Sequence, residues 1–402
     1  MKFRIELEEA VSIIEENSFK IEDIEEVYLE EALGRICAED IYSPIFNPPF
    51  DKSPLDGYAV IAADTKGATR EKPVTLKVVD EVFAGRYSDV MLKKGEAVRI
   101  MTGAKLPDGC NAVIRQEDTD EGMDTVEIYS ELKDLSNYCF CGEDIKKDDI
   151  LINAYEKLTY VHIGILSSVG FTKVKVIRKP KIALFVTGDE VQMSGEPLKE
   201  GKIYDTNLHL LRARLIALGF NVFKSMHIGD SAKKVAEEID TVIDEVDFVL
   251  TTGGVSVGKK DIFHEVLPIL GAERHFWKVD LQPGTPAMFS TYRNKPLLSL
   301  SGNPFAALAT FELLGRPLLA DMSCDKSIRT RRIKAVLEND FNKKSNVRRF
   351  IRAFYSDGSV KLTSNKHASG MLLSMNGCNC LIDIKAGTES LKKGDKIDII
   401  LI

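Results

Sequence analysis

The sequence predicts a multidomain α/β plus β protein, with a central three-layer α/β domain, a β-rich N-terminal domain and a C-terminal β-barrel. Strand-like and helix-like runs alternate through residues 179–326, which is typical of a mostly parallel sheet covered by helices. Short strand-like runs separated by turn residues fill residues 45–140. Residues 327–402 hold mainly strand-like runs, with a hairpin signal at Asp357-Gly358, and this pattern fits a small barrel.

The first residues and a later segment together predict a helix-containing linker domain, made of residues 1–44 and 141–178. Apolar residues at helical spacing predict helices over Ile5–Ile14, Leu29–Ile36 and Leu158–Val169. The β-rich domain is therefore expected to be an insertion between two parts of this linker domain.

The β-rich domain begins after a connection that contains three prolines. Pro44, Pro48 and Pro49 hold the chain in an extended, non-helical conformation. The predicted strands of this domain are Tyr58–Ile61, Val74–Val82, Ala97–Met101 and Ala112–Arg115.

The α/β domain is predicted from a series of short apolar runs, each followed by a helical pattern or a turn. Its predicted strands are Ile182–Val186, Val222–His227, Phe248–Leu250, His275–Val279, Ala287–Ser290 and Leu297–Leu300. Helices are expected after Asp205-Thr206-Asn207 and after Asp230. A last helix is expected over Phe305–Leu319, with Pro304 at its first position.

The glycine-rich stretch Val246–Asp261 is the feature around which this domain is organised. A buried strand ends in Thr251-Thr252-Gly253-Gly254, and Asp261 opens an apolar-periodic helix. Glycines allow the backbone to approach a ligand closely, and free N–H groups at a loop and helix start attract anions. A tight turn without a ligand would give the same glycine pair, so this feature alone leaves both interpretations open.

Several carboxylates follow strands or begin helices in the same domain. Each of them is individually more often a helix cap than a ligand. Together, beside a glycine loop, they predict a phosphate ligand bridged by a divalent cation such as Mg²⁺. They are Asp189, Glu190, Asp205, Asp230 and Asp261.

Composition excludes several classes of protein. Hydrophobic residues make up 44% and charged residues 29% of the chain, as in ordinary globular proteins. A formal net charge of −7 argues against a nucleic-acid-binding protein. No apolar run is long enough to span a bilayer, no signal peptide is recognisable, and the seven cysteines are an odd number. We therefore expect a cytoplasmic protein with reduced cysteines and no membrane partner.

An ordered series of motifs resembles one family along nearly the whole chain. The motifs are S-P-L-D-G-Y-A-V, I-M-T-G-A, T-G-D-E, Y-D-T-N, T-T-G-G-V-S-V-G-K-K-D, P-G-T-P and G-N-P. In this order they are similar to the molybdopterin molybdenumtransferase (MoeA) family and to the C-terminal domain of gephyrin. The resemblance implies a homodimer of four-domain subunits in molybdenum cofactor biosynthesis. Its expected reaction inserts molybdate into adenylylated molybdopterin and releases AMP, with Mg²⁺ assisting.

The same resemblance assigns roles to individual residues, matched motif by motif. The expected catalytic residues are Asp56, Thr102, Asp144, Glu190 and Asp261, and the expected metal ligands are Glu190, Asp230 and Asp261. The expected substrate-binding residues are Thr187, Gly188, Asp230, Thr252, Gly253, Gly254, Ser256, Lys278, Gln282, Gly284, Thr285, Asn303, Pro304 and Ser369.

The chain also departs from the family pattern in two loops. The family's K-P-G-K-P is Gln282 to Pro286 here, and its P-G-N-P-x-S begins at Ser301 and has alanine at the final position. Two lysines and a serine are thus absent, which favours weaker anion binding. Candidates to replace the charge are Arg348, Arg349 and Arg352, whose spacing leaves open which one points inward. The departures leave two alternatives: a non-catalytic molybdopterin-binding or scaffold protein, and a transferase for a related oxyanion such as tungstate.

Overall fold

The computed structural model describes residues 2–255, 262–363 and 368–402, which form two compact units. The first unit is Met1–Glu25 with Ile177–Ile402, and the second is Glu26–Val176. In chain order the strands are β1 (Lys2–Ile5), β2 (Ile24–Tyr28), β3 (Ile41–Tyr42), β4 (Gly57–Val60), β5 (Val74–Val82), β6 (Glu96–Ile100), β7 (Ala112–Arg115), β8 (Thr125–Ile128), β9 (Ile150–Ile152), β10 (Lys173–Ile177), β11 (Ile182–Thr187), β12 (Val191–Gln192), β13 (Ile203–Tyr204), β14 (Val222–Ile228), β15 (Phe248–Thr252), β16 (Glu273–Val279), β17 (Leu281–Gln282), β18 (Met288–Tyr292), β19 (Lys295–Leu300), β20 (Arg331–Leu337), β21 (Arg348–Ser356), β22 (Ser359–Leu362), β23 (Cys380–Ile384) and β24 (Lys396–Leu401).

The helices are shorter than a bilayer-spanning segment. They are α1 (Leu7–Glu16), α2 (Leu29–Ala32), α3 (Tyr160–Ser168), α4 (Asn207–Ala217), α5 (Ala232–Val242), α6 (Phe263–Leu270), α7 (Pro304–Thr310) and α8 (Arg316–Met322). Among residues 2–255, 262–363 and 368–402, no helix combines the length and the apolar character that crossing a membrane requires.

A seven-stranded sheet forms the centre of the first unit, in the order β1-β16-β18-β19-β15-β11-β14. Strands β19, β15, β11 and β14 are parallel neighbours, whereas β18 is antiparallel to β16 and β19. Every residue of β11 and β15 is buried, as expected for parallel strands covered on both faces. This arrangement confirms the predicted α/β domain and its parallel core.

Helices cover the two faces of this sheet. Helices α5 and α6 pack on one face through a continuous apolar core, which includes Phe185, Val249, Val235, Ile239 and Val266. Helix α4 contacts β11, and α7 contacts β19. Because successive strand residues point to opposite faces, the strands bury apolar side chains on both sides of the sheet.

The N-terminal segment differs from the expectation. Strand β1 pairs in parallel with β16, and only then does helix α1 begin, at Leu7. The sequence predicts a helix from Ile5 and a linker domain that includes residues 1–44. The pairing was not foreseen because it joins residues far apart in the sequence, and a four-residue strand carries no periodic signal of its own. The domain boundaries stay predictions.

The last helix of the α/β domain is interrupted. Pro304 occupies the first turn of α7, as expected, but Phe311–Gly315 is π-helical and joins α7 to α8. Pro317 has no N–H to donate to the carbonyl of Leu313, so the regular α-helical ladder cannot continue across this point. Pattern reasoning had expected one continuous helix.

The C-terminal strands form a closed barrel, in agreement with the prediction. The order is β21-β22-β20-β24-β23, and β23 closes the barrel by pairing with β21. Its core is apolar and includes Leu337, Ile351, Val360, Ile382 and Ile399. The short strand β17, which lies in the chain between β16 and β18 of the α/β sheet, pairs in parallel with β21 and so joins the barrel.

The second unit contains a five-stranded sheet in the order β7-β4-β6-β5-β8. All four residues of β4 are buried, with Tyr58 and Val60 in one apolar core and Ala59 in another. The predicted β-rich character of this region is therefore confirmed. The pair β3–β9 and the helices α2 and α3 complete the unit.

Candidate functional site

The glycine loop after β15 brings two strand ends into close contact. Gly253 and Gly254 have φ values of +95° and +65°, which favour glycine. A Cβ atom on Gly253 would lie 2.4 Å from the carbonyl oxygen of Thr187. A Cβ on Gly254 would lie 2.6 Å from Cγ1 of Ile262. Glycine is thus required at both positions. The predicted site residues Ser256 and Asp261 lie outside the described residues.

A cavity of about 560 Å³ opens beside this loop, at the carboxyl ends of β11 and β15. We call it the glycine-loop cavity. It brings together eight of the residues expected from the sequence: Thr187, Gly188, Glu190, Asp230, Gly253, Gly254, Asn303 and Pro304. Thr252 lies buried just beneath it, where its hydroxyl donates to the Ser301 carbonyl at 2.8 Å. The position agrees with the rule that open α/β sheets bind ligands at the carboxyl edge.

Three carboxylates, Glu190, Asp205 and Asp230, line this cavity, and Glu190 and Asp230 are the two that were predicted as metal ligands. The backbone N–H of Asp189 donates to the Asp230 carboxylate at 3.2 Å, and the Asp230 N–H donates to the Asp189 carboxylate at 2.9 Å. This reciprocal pair fixes the loop after β11 to the loop after β14. Ser231, rather than Asp230, caps helix α5, because its hydroxyl accepts the N–H of Lys234. Asp230 is therefore not needed as a helix cap.

Within residues 2–255, 262–363 and 368–402, no three His, Cys, Asp or Glu side chains are grouped closely enough to hold a metal ion. The expected third ligand, Asp261, is outside those ranges. The predicted metal ligands therefore stay a prediction. Two carboxylates at one cavity nevertheless fit Mg²⁺, which typically takes one or two carboxylates together with substrate phosphates and water.

A second cavity, of about 690 Å³, lies between the α/β sheet and the barrel, and we call it the barrel-side cavity. It contains the predicted residues Gln282, Gly284, Thr285 and Ser369. It shares Ser301 and Asn303 with the glycine-loop cavity, so the two cavities adjoin at the start of α7.

Arg349 is the cationic candidate that lines the barrel-side cavity. Its Nη2 donates to Gln282 Oε1 at 2.9 Å, because β17 and β21 pair with these two residues in register. Its Nε is buried and has no hydrogen-bond partner among the described residues. Thr285 has its hydroxyl turned away, since Oγ1 donates to the Leu281 carbonyl at 2.5 Å.

The other two candidate arginines have structural partners. Arg348 forms ion pairs with Asp383 and Glu8, and these pairs raise its pKa. Arg352 is fully buried, donates to the carbonyls of Met371 and Ala368, and lies 3.9 Å from the centroid of the Phe305 ring. Burial lowers the pKa of Arg352.

Lys278 is not among the residues that line either cavity. Its ammonium lies 4.4 Å from the centroid of the Trp277 ring and 5.0 Å from that of Phe3. The Lys278 ammonium thus packs against two aromatic rings and does not line the cavities that contain most of the other predicted substrate-binding residues.

In the second unit, Asp56 and Thr102 form a close pair. Asp56 Oδ1 accepts hydrogen bonds from the hydroxyl and the backbone N–H of Thr102, both at 2.7 Å. These bonds stabilise the carboxylate and lower the pKa of Asp56. Asp144 lies exposed on a different turn of the same unit, with its N–H donated to the Asn47 carbonyl.

Asp205 is among the carboxylates that the sequence predicts beside the glycine loop, but Asn207 is not among the residues predicted there. Both line the glycine-loop cavity and are buried. Their pattern at the start of α4 is that of an ordinary helix cap, and Asp205 does accept the N–H of Leu208 at 3.0 Å. No local signal separates such a cap from a ligand-binding residue.

Family models cover most of the chain. Residues 5–170 match the MoeA N-terminal region (domain I and II), residues 183–321 match a probable molybdopterin binding domain, and residues 334–402 match the MoeA C-terminal region (domain IV).

Curated relatives and solved structures agree with these matches. A molybdopterin molybdenumtransferase of Staphylococcus epidermidis is 35% identical over 99% of this chain and 95% of its own length. One of Staphylococcus aureus is 35% identical over 93% of this chain and 90% of its own. A molybdopterin biosynthesis MoeA protein from Pyrococcus horikoshii superposes with a TM-score of 0.86, at 34% identity over 99% of both chains. A second structure from that organism superposes with a TM-score of 0.82, at 29% identity.

Proposed function

Because the chain belongs to the molybdopterin molybdenumtransferase family, we propose that it inserts molybdate into adenylylated molybdopterin and releases AMP. The observation that best supports this reaction is the pair of adjoining cavities that share Ser301 and Asn303. One contains a glycine loop and three carboxylates, and the other contains an arginine and a lysine. A substrate with phosphate groups and an oxyanion would occupy both at once.

The glycine-loop cavity would bind the phosphate groups. The loop backbone can approach them closely because Gly253 and Gly254 carry no side chain. Bound Mg²⁺ would be held by Glu190 and Asp230, and it would supply charge neutralisation at the phosphate oxygens. The pair Asp189–Asp230 keeps the second carboxylate at the cavity before any ligand binds.

The barrel-side cavity would bind the oxyanion. Arg349 is oriented by Gln282 and has Nε and Nη donors in the planar arrangement that suits a tetrahedral oxyanion. Ser369 lines the same cavity and can donate its hydroxyl. Neither group distinguishes molybdate from tungstate, so both oxyanions belong in the assay.

A second candidate function is a non-catalytic molybdopterin-binding or scaffold protein. The uncharged residues Gln282 and Thr285 favour it, because they stand where the family pattern has lysines. Such a protein would bind the pterin substrate without releasing AMP.

The first test replaces one carboxylate of the cavity. Glu190→Gln should lower Mg²⁺-dependent AMP release at least about tenfold, because an amide carries no charge and ligates Mg²⁺ poorly. The fold should survive, since Glu190 is exposed at the end of a loop. Glu196→Gln, on the exposed segment between β12 and β13, is the matched control and should leave the rate unchanged. Equal turnover of all three proteins would show that Glu190 does not hold the metal ion, and no AMP release by any of them would favour the scaffold function.

A further inference from the structure

Two buried acceptor oxygens in the glycine-loop cavity have no hydrogen-bond partner in the described part of the chain. One is Oδ2 of Asp205, whose Oδ1 caps helix α4. The other is Oδ1 of Asn207. The two residues are only 7% and 6% exposed, and both line the cavity.

The orientation of the Asn207 amide is fixed by its neighbours. Its Nδ2 donates to the Gly302 carbonyl at 2.8 Å and to the Thr252 hydroxyl at 2.9 Å. The Thr252 hydroxyl uses its own proton for the Ser301 carbonyl, so it can only accept from Asn207. The amide nitrogen must therefore face these two groups, and the amide oxygen is left unpartnered.

Buried polar atoms are nearly always hydrogen-bonded, and a carboxylate oxygen is costly to leave bare. The hydroxyls of Thr251, Ser290 and Ser299 also lack partners, but these residues do not line the cavity. Thr187 does line it, and its Oγ1 is a third unpartnered oxygen beside the glycine loop. The lining of the cavity therefore includes acceptor oxygens, Asp205 Oδ2 and Asn207 Oδ1, that a ligand with N–H donors could satisfy.

We propose that Asp205 and Asn207 recognise the hydrogen-bond donor edge of the pterin ring. This inference rests on the proposed function, which supplies a pterin substrate. A 2-amino-4-oxopteridine presents a ring N–H and an amino N–H side by side, and one carboxylate can accept both. A phosphate placed directly against the Asp205 carboxylate would be repelled, so the phosphate groups belong at the glycine loop. One carboxylate and one amide are too few ligands for a dedicated cation site.

The test asks whether Asp205→Asn reverses the preference of the protein between two pteridines. Asp205→Asn keeps an oxygen for the cap of α4, because Asn and Asp cap helices equally well. The new amide offers one donor and one acceptor. It therefore matches 2,4-dioxopteridine, which has a carbonyl in place of the amino group. Titration calorimetry with both pteridines should show that the wild-type protein prefers the amino compound at least about tenfold, and that the variant prefers the dioxo compound.

Controls separate this inference from the proposed function. Asp244→Asn alters an exposed carboxylate that pairs with Arg293, and it should keep the wild-type preference. An unchanged preference in Asp205→Asn would overturn the inference. So would a loss of AMP affinity in that variant without any effect on the pteridines, because a ribose would then occupy the subsite. AMP release by the wild-type protein decides the proposed function independently of either result.

Discussion

At the scale of single residues, the positive charge at the barrel-side cavity comes from Arg349 and Lys343 and not from the loop that holds Gln282 and Thr285. The side-chain carbonyl of Gln282 holds the guanidinium, and the Thr285 hydroxyl is committed to a backbone carbonyl. A lysine at position 282 would lose the role of acceptor and place two cations together. Gln282 and Arg349 therefore depend on each other, because the glutamine carbonyl orients the guanidinium.

Arg349→Gln should weaken molybdate binding by about 1.5–3 kcal/mol, which is the usual size of a hydrogen bond to a charged group. Arg349→Lys should fall between this variant and the wild-type protein, because it keeps the charge but loses the planar donor pair. Calorimetric titration with molybdate measures both. Arg331→Gln, at an exposed position on β20, is the control. If Arg349→Gln binds molybdate as the wild-type protein does, the oxyanion site lies elsewhere.

The sequence singles out residues carried by a motif next to a strand end, and the structure brings several of them together, while their roles stay predictions. Thr187, Glu190, Gly253 and Gly254 meet at one cavity because parallel strands end at the same edge. Arg349 could not be singled out, because its direction depends on the pairing of β17 with β21. Lys278 was expected among the substrate-binding residues, but it lies on Trp277 and Phe3, and this contact depends on strand β1.

At the scale of elements, local periodicity predicted strands and helices that are buried on a regular pattern. The strand over β7 and the apolar stripe of α5 are examples. The parallel pairing of β1 with β16 and the π-helical Phe311–Gly315 were not predicted. The strand pairing depends on a tertiary contact, and the π-helical segment depends on a proline within the helix. The spacing of apolar residues carries no information about either.

At the scale of elements, we predict that the glycine loop tolerates a side chain less well than another glycine with positive φ. Gly253→Ala combines a positive φ with a Cβ that would lie 2.4 Å from the Thr187 carbonyl oxygen. Gly271→Ala, at the C-cap of α6, has a positive φ of 67° with nothing within 4 Å of the new Cβ. The control should lose about 1–2 kcal/mol of unfolding free energy from backbone strain alone. Gly253→Ala should lose clearly more, as measured by urea denaturation. Equal losses would mean that the loop can relax.

At the scale of the whole molecule, the predicted catalytic residues are divided between the two units. Asp56, Thr102 and Asp144 belong to the second unit, whereas Glu190 belongs to the first. We propose a two-fold homodimer in which the second unit of one subunit completes the cavity of the other.

Complementation tests this assembly. Asp56→Asn and Glu190→Gln should each be nearly inactive alone. If both residues act across the interface, a mixed dimer has one intact site of two. An equal mixture that exchanges subunits should then recover about a quarter of the wild-type activity. Sedimentation should show a dimer at micromolar concentration. Only monomer with full activity, or a mixture that stays inactive although subunits exchange, would contradict the shared site.

We propose that this chain couples oxyanion binding to the release of AMP. The most direct measurement is the rate of AMP release from adenylyl-molybdopterin by the wild-type protein with Mg²⁺, without an oxyanion, with molybdate and with tungstate. We predict that AMP release depends on Mg²⁺ and rises when molybdate is added, and that metal appears in the pterin product in equal amount. Tight binding of the substrate with no AMP released under any of these conditions would mean that the protein binds the pterin without transferring metal to it.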